Sequence, residues 1–243
     1  GVLLSLSRML CMVSLQGSKA VRGKGEAALS AVGFFFPFTM LLISISTGLG
    51  IGGGAVISQA IGAKDEKKAD SAAAHTLVIM AGLSVLMTAV LLLFAQPLFR
   101  LMGAASSLPE TLAYARVMFA GIALIFFNQV GMALLRSEGD ARRVMLGMIL
   151  GCVLNIGLDP LFIYRFQVPG FPRASIGLGL GVAGAAYATI LSIGFSSLLL
   201  LYWLFVQRKT YLAIRFRGFR FEGAITRRIM AIGVPTMLMQ MSM

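Results

Sequence analysis

The sequence predicts an all-α protein, a polytopic bundle of membrane-spanning helices. Hydrophobic residues make up 58% of its 243 residues and charged residues only 12%, with a mean hydropathy of +0.89. A soluble domain carries about 25% charged residues. The charges are also unevenly spaced, and the runs between them reach the roughly 20 apolar residues that a helix needs to cross a bilayer. The composition therefore excludes an ordinary soluble enzyme and a disordered chain.

The charge-free runs define the predicted helices in chain order. They contain 37 residues between Glu26 and Lys64, 29 between Asp70 and Arg100, 19 between Arg116 and Arg136, 15 between Arg143 and Asp159, and 34 between Arg173 and Arg208. The run after Arg143 keeps its apolar pattern as far as Tyr164. Five complete helices are predicted near 29–58, 72–96, 112–136, 143–164 and 181–207. A sixth begins near 224, and the segment 1–24, with Arg8 in its apolar part, is predicted to be a partial first helix.

The basic residues predict the orientation in the membrane. With the end of the 29–58 helix in the cytoplasm, the inner loops hold 13 Lys and Arg residues and the outer segments hold 6. Cytoplasmic loops carry the excess of positive charge in multi-pass proteins. We therefore expect a multi-pass protein of the cell membrane, whose net charge of +12 reflects topology.

A basic and aromatic stretch, RFRGFRF at 215–221, raises the question of nucleic acid. Cations interleaved with aromatic rings stack on bases in soluble proteins. Between two membrane helices, the same pattern favours the headgroup layer, with guanidinium groups on anionic lipid. We predict membrane lipids as partners and no nucleic acid.

Glycines at two places match the G-x-G-x-x-G pattern, starting at Gly48 and Gly179. A dinucleotide site requires a strand before the glycines and a soluble βαβ unit. Both matches lie in or beside charge-free helices, where glycines spaced by four allow close helix contact. We predict that the protein has no cofactor. Its two cysteines, Cys11 and Cys152, are too few for a disulfide framework.

Asp159 is the only acidic residue inside a predicted span. Such residues usually face a cavity and mark ion or proton pathways. Pro160 has no N–H for the carbonyl of Ile156, and Asn155 lies one turn earlier on the same face. A carboxylate, an amide and a free carbonyl suit Na⁺ or H⁺. The alternative is that Asp159 caps the helix near the outer interface and pairs with a nearby arginine, either Arg165 or Arg173.

Two further residues continue the same helical stripe towards the cytoplasm. Cys152 precedes Asn155 by three positions and Met148 precedes Cys152 by four. These spacings place side chains on one face of a helix. We predict that Met148 and Cys152 line the substrate cavity.

His75, the only histidine, stands near the cytoplasmic start of the second predicted helix. A proton relay is one interpretation, and a solvated interfacial histidine is the one we favour. The sequence has no histidine and cysteine cluster for a metal site and no serine, histidine and acid set within the membrane. We therefore predict no metal beyond Na⁺ at Asp159 and no enzymatic activity.

Several motifs, in order, resemble the multidrug and toxic compound extrusion (MATE) family. They are GEAALSAVG at 25–33, STGLGIGGGAVISQAIGAK at 46–64, LLRSEGDARR at 134–143, NIGLDP at 155–160, GVAGAAYAT at 181–189 and AIGVP at 231–235. The resemblance covers about residues 23–243. It implies a twelve-helix bundle in two lobes, so this chain would hold an N-terminal lobe at 25–207, a basic linker at 208–223 and the start of a second lobe at 224–243.

The resemblance also implies a function. Members of the family exchange Na⁺ or H⁺ for cationic or amphipathic organic compounds, and the implied ion site falls on Asp159, Asn155 and Thr189. This sequence departs from the family in having no acid before Glu26 and in having Met132 where an amide is common. We expect a chain disrupted upstream and truncated downstream, which needs the missing C-terminal lobe or a second copy as partner.

Two other functions remain open. A lipid-linked oligosaccharide flippase of the same superfamily would have a cation-lined cavity, whereas 144–164 contains an acid and no Lys or Arg. A non-transporting membrane assembly subunit would not depend on Asp159 for activity.

Overall fold

A computed structural model describes residues 19–102, 108–163, 166–167, 175–176, 178, 180–206 and 221–242. Its seven described α-helices and one two-stranded hairpin are α1 Lys19–Gly62, α2 Glu66–Leu101, α3 Leu108–Ala120, α4 Ile122–Ser137, α5 Ala141–Ile163, β1 Phe166–Gln167, β2 Ser175–Ile176, α6 Val182–Leu201 and α7 Gly223–Met241. A π-helical turn, Tyr202–Val206, continues α6. The strands pair antiparallel, with Phe166 opposite Ile176.

The helices confirm the predicted all-α membrane architecture. Four of them are long and apolar enough to span a membrane, over Val32–Gly62, Glu66–Leu101, Ala141–Ile163 and Ala183–Leu204. Thr111–Ala120 and Ile122–Ser137, which meet at a bend of 50°, pass the same test only as a pair and together would make a fifth span. These five segments coincide with the five predicted helices. The predicted partial helix at 1–24 and the predicted linker at 208–223, with its RFRGFRF stretch, lie largely outside the described residues.

The bend between α3 and α4 falls at Gly121. Its amide is shared between the carbonyls of Val117 and Met118, both at 3.1 Å. A Cβ at this position would overlap the side chain of Ile190 on α6. The segment predicted as one helix over 112–136 is therefore two helices that meet at Gly121.

Two compact units divide the chain, and each has its own core. Unit 1 comprises the described parts of Gly1–Pro37, Ala89–Gly121 and Leu150–Ser192. Its core contains an aromatic cluster in which Phe35 meets the ring of Tyr114 edge-on at 5.1 Å between centroids. Phe119 lies 5.4 Å from Phe35 and stacks on Phe99 at 6.5 Å. Such pairs contribute about 0.5–1.5 kcal/mol each beyond their buried area.

Unit 2 comprises the described parts of Phe38–Thr88, Ile122–Ile149 and Ile193–Met243. Its largest apolar cluster is made of buried residues from α4, α5, α6 and the π-helical turn, namely Met132, Leu135, Val144, Leu200, Trp203 and Leu204. Met132, for which the resemblance implied an amide, is a core residue. Polar contacts also cross between helices, as Ser196 Oγ donates to the Gly147 carbonyl at 3.4 Å.

Small residues bring α1 and α7 together within unit 2. A Cβ on Gly48 would lie 2.8 Å from the carbonyl oxygen of Gly233, and one on Gly52 would lie 3.0 Å from the Gly233 nitrogen. Glycines four residues apart allow this separation because they place no side chain between the backbones. The prediction that these glycines serve helix contact is confirmed, and Gly48 to Gly53 lie inside α1, which is helical from Lys19 onwards.

The prediction of a solvated His75 was wrong, because this side chain is 0% exposed. Its Nδ1 lies 2.7 Å from the carbonyl oxygen of Ser71 on the same helix. Its Nε2 receives the backbone N–H of Glu222 at 2.8 Å, and the ring faces Phe221 at 5.4 Å between centroids. The ring is buried by contact with the segment around Glu222, which is 147 positions away in the chain. The periodicity of a helix does not indicate a partner that is so distant in sequence.

Candidate ion-binding site

The candidate site centres on Asp159, near the end of α5 in unit 1. Its side chain is only 9% exposed, and the adjacent Asn155 is 3% exposed. Asn155 Nδ2 donates to Asp159 Oδ1 at 3.5 Å, a long hydrogen bond between side chains one turn apart. Among the residues that the structure describes, Asp159 is the only buried carboxylate. The spacing of four therefore pairs the amide with the acid, as the sequence predicted.

Proline shapes the helix directly beyond the acid. Pro160 lies inside α5 and has no N–H, so it provides no donor for the carbonyl of Ile156. One turn further, the last carbonyls of α5 are capped by the segment that follows the hairpin: Leu178 N–H donates to Leu161 and Leu180 N–H to Phe162, both at 3.0 Å. The end of α5 is thus held by backbone hydrogen bonds from the segment that follows the hairpin.

Close packing fixes α6 against α5 at Gly184. A Cβ on Gly184 would lie 2.5 Å from the carbonyl oxygen of Phe162, so the two backbones are in direct contact. The chain reverses direction through the hairpin between these helices. At a rise of about 1.5 Å per residue, Thr189 lies about 7.5 Å along α6 from this contact. Asp159 and Asn155 lie about 4.5 Å and about 10.5 Å along α5, so Thr189 falls at a depth between them.

The hydroxyl of Thr189 is buried and satisfied by its own helix. Its side chain is 7% exposed, and Oγ1 donates to the carbonyl of Ala185 at 2.8 Å. A donating hydroxyl keeps its lone pairs as acceptors, so Thr189 can still offer an oxygen to a cation. One turn later Ser192, also buried, donates to the Thr189 carbonyl at 2.9 Å. Sequence reasoning missed Ser192, although its spacing of three from Thr189 places both on one face.

The two predicted cavity residues differ in exposure along α5. Cys152 has a free thiol and is partly buried, whereas Met148 is 53% exposed. The structure therefore brings Asn155 and Asp159 together and leaves Met148 as an exposed apolar side chain. Within the described residues, no three His, Cys, Asp or Glu side chains form a group able to hold a metal ion. Any cation at Asp159 would rely on oxygen from amide, hydroxyl and carbonyl groups.

Comparison with known proteins places this arrangement in a family. The MatE family model matches residues 3–161, which include both Asn155 and Asp159. The chain belongs to the MatE family. This confirms the resemblance found from the motifs, and it identifies a multi-pass protein of the cell membrane from a family of transporters.

Individual MatE relatives agree with this assignment. The chain is 32% identical over 240 residues to "Probable multidrug resistance protein YoeA" of Bacillus subtilis, a match that covers 96% of this chain and 50% of that protein. It is 36% identical over 173 residues to a "FAD transporter" of Shewanella oneidensis, covering 69% of this chain and 36% of that one. A crystal structure of MATE in complex with MaD3S superimposes with a TM-score of 0.87 at 42% identity, over 99% of this chain and 50% of that one. The chain thus spans about half the length of the relatives it matches.

Proposed function

We propose that this chain is the N-terminal half of a cation-coupled antiporter that exports organic compounds, with Asp159 as the group that takes up and releases the coupling ion. The observation that carries the proposal is the buried pair of Asn155 and Asp159 in an otherwise apolar span. An ionisable side chain within the membrane is expensive and usually functional. The names of the multidrug relatives support export as the process.

The proposed coupling works by occupancy of Asp159. With Na⁺ or H⁺ bound, the carboxylate is neutralised, and Asn155 and Thr189 offer additional oxygen atoms. When the ion leaves, the site regains its negative charge and attracts a cationic or amphipathic substrate into the cavity that Met148 and Cys152 are proposed to line. Only one occupant neutralises the carboxylate at a time, so release of one favours binding of the other.

The choice between Na⁺ and H⁺ depends on how many oxygen atoms act together. Na⁺ needs several ligands, which the carboxylate, the Asn155 amide, the Ile156 carbonyl and the Thr189 hydroxyl would supply. A proton needs the carboxylate alone. Either ion binds only a folded site, so it raises the stability of the folded protein, by about 2.7 kcal/mol at about 100 times its Kd.

The first experiment measures the melting temperature of the purified chain in lipid nanodiscs. If Na⁺ is the coupling ion, we expect Na⁺ to raise the melting temperature compared with choline at equal ionic strength. If the ion is H⁺, we expect acidification, and not Na⁺, to raise the melting temperature. Asp159→Asn abolishes either response, and Glu66→Gln, at an exposed acid, retains it. If the wild-type chain responds to neither ion, the coupling proposal is wrong and a non-transporting subunit becomes the better interpretation.

Substrate charge needs its own test, because one relative is named an FAD transporter and FAD is anionic. The negative charge of Asp159 and the absence of Lys and Arg from 144–164 favour cations. The assay compares binding of a fluorescent organic cation with that of FAD to the purified chain. We expect the cation to bind and Na⁺ or H⁺ to displace it, while FAD binding would favour an anionic substrate.

A further inference from the structure

His75 holds the beginning of α7 through a hydrogen bond that only one form of imidazole can make. A carbonyl oxygen only accepts, so the 2.7 Å contact to the Ser71 carbonyl requires a proton on Nδ1. A backbone N–H only donates, so the 2.8 Å contact from Glu222 requires a bare Nε2. The structure therefore fixes the neutral Nδ1–H tautomer.

We propose that His75 is a protonation-sensitive latch that fastens the start of α7 to α2 when neutral and releases it when charged. A second proton would sit on Nε2, directly opposite the N–H of Glu222, and turn an attraction into a contact between two donors. The ring is completely buried, so the charged form would also lose its hydration. Because of both effects, protonation of His75 should break its hydrogen bond with Glu222, and the charged ring should not stay buried in this contact.

Among the described residues, charged groups near the latch lie on α2 and α7. On α2, the nearest acid along the helix is Asp70, five positions before His75. On α7, Glu222 contributes its backbone while its side chain is exposed, and Arg227 and Arg228 are exposed as well. Helix α1 packs near Thr76, one position after His75, where Gly53 meets its side chain, and residues 27–62 of α1 carry no charge.

The position of the latch gives it a consequence beyond local structure. Glu222 is the N-cap residue of α7, and its side chain makes no capping hydrogen bond. Its backbone N–H instead binds a ring on α2, and Phe221 covers that ring at 5.4 Å. Protonation of His75 would thus free the segment that leads into α7, a proton response separate from the one proposed for Asp159.

The test is hydrogen–deuterium exchange at the start of α7, measured on the whole chain in nanodiscs. After correction for intrinsic rates, we expect the protection of the Glu222 amide, which donates to the ring, to fall at least tenfold between about pH 8 and about pH 5. His75→Gln keeps an acceptor but no ionisable ring, so its protection should change less than twofold. Ser71→Ala and Glu222→Ala keep the backbone groups and should retain the wild-type response.

Two results would overturn the latch. One is wild-type protection that stays constant between the two pH values. The other is a folded His75→Gln variant that loses protection on acidification as the wild type does, since another group would then be responsible. Asp159→Asn should leave the exchange response intact, which separates failure of the latch from failure of the ion-coupling proposal.

Discussion

Lys64 and Gly139 occupy the same position in two loops built on the same hydrogen bonds. Both residues have left-handed backbones, with φ of 57° and 85°, and each follows the last turn of a helix. In each loop the left-handed residue donates to the carbonyl three positions back, and the following aspartate donates to the carbonyl five positions back, at 2.9–3.0 Å. This is the Schellman arrangement that ends many helices. The C-terminal ends of the two helices that precede these loops also meet, because Ser58 Oγ of α1 donates to the carbonyl of Ser137, the last residue of α4, at 3.2 Å.

The aspartate that follows each of these residues starts the next helix. Asp65 Oδ1 accepts the N–H of Lys68, and Asp140 Oδ1 accepts the N–H of Arg143, both at 3.1 Å. The second carboxylate oxygen of each binds the same partner's side chain, at 3.0 Å and 3.2 Å. The two loops differ mainly in that one has lysine where the other has glycine.

The first prediction exploits that difference. Gly139→Ala should lower the free energy of unfolding by about 1 kcal/mol, because a Cβ is strained in the left-handed region. Open space surrounds Gly139, so no clash adds to this cost. Lys64→Gly should be neutral or stabilising by about 0.5 kcal/mol, since it removes the same strain. Chemical denaturation of both variants measures the difference, and equal losses in the two would contradict the shared geometry.

Asp65 supplies a prediction about pH. The side-chain hydrogen bond from Lys68, and then its backbone N–H, hold the pKa of Asp65 below its ordinary value of 3.8. A lowered pKa means that folding favours the ionised carboxylate, so its stabilisation is complete above that ordinary value and disappears as pH falls through the lowered pKa. The stability difference between wild type and Asp65→Asn should therefore shrink in strong acid. Lys68→Met removes the side-chain hydrogen bond that lowers the pKa of Asp65 most. In this variant, the stabilisation by the Asp65 carboxylate should be lost at a higher pH than in the wild type.

Sequence patterns predicted the helices better than their interruptions. Long charge-free runs are a property of each segment alone, so the five spans were visible in the sequence. The contact of Gly121 with Ile190 and that of His75 with Glu222 join residues that are distant in the chain. The pairing of Asn155 with Asp159 was predictable because it lies within one helix. The depth of Thr189 required the contact of Gly184 with Phe162, which only the fold reveals.

Packing of α1 against α7 yields the next prediction. Gly52→Ala would force a Cβ into the backbone of Ile229 and Gly233, and overpacking of this kind costs about 1–3 kcal/mol. The matched control is Gly54→Ala on the same helix, where the nearest atoms to a new Cβ are the Ala133 carbonyl oxygen and the Ser137 Cβ, both at 3.6 Å. Thermal unfolding in nanodiscs should show a clear loss for the first and almost none for the second. A similar melting temperature for both variants would mean that α7 does not pack against Gly48 and Gly52 of α1.

Gly184 offers a way to test the geometry of the candidate ion site without changing any of its ligands. A Cβ there meets the backbone of Phe162, so Gly184→Ala should push α6 away from α5 and move Thr189 relative to Asp159. We expect the Kd for the ion, determined from the ion dependence of the melting temperature, to rise about tenfold, which is equivalent to about 1.4 kcal/mol. Gly157→Ala is the control, because Gly157 lies on α5 two positions before Asp159 and no atom lies within 4 Å of a Cβ added there. That variant should keep the ion response and gain about 1 kcal/mol of helix stability from the better helix former. If Gly184→Ala keeps the full response, the coupling ion depends on α5 alone, which favours a proton on Asp159 over a Na⁺ shared with Thr189.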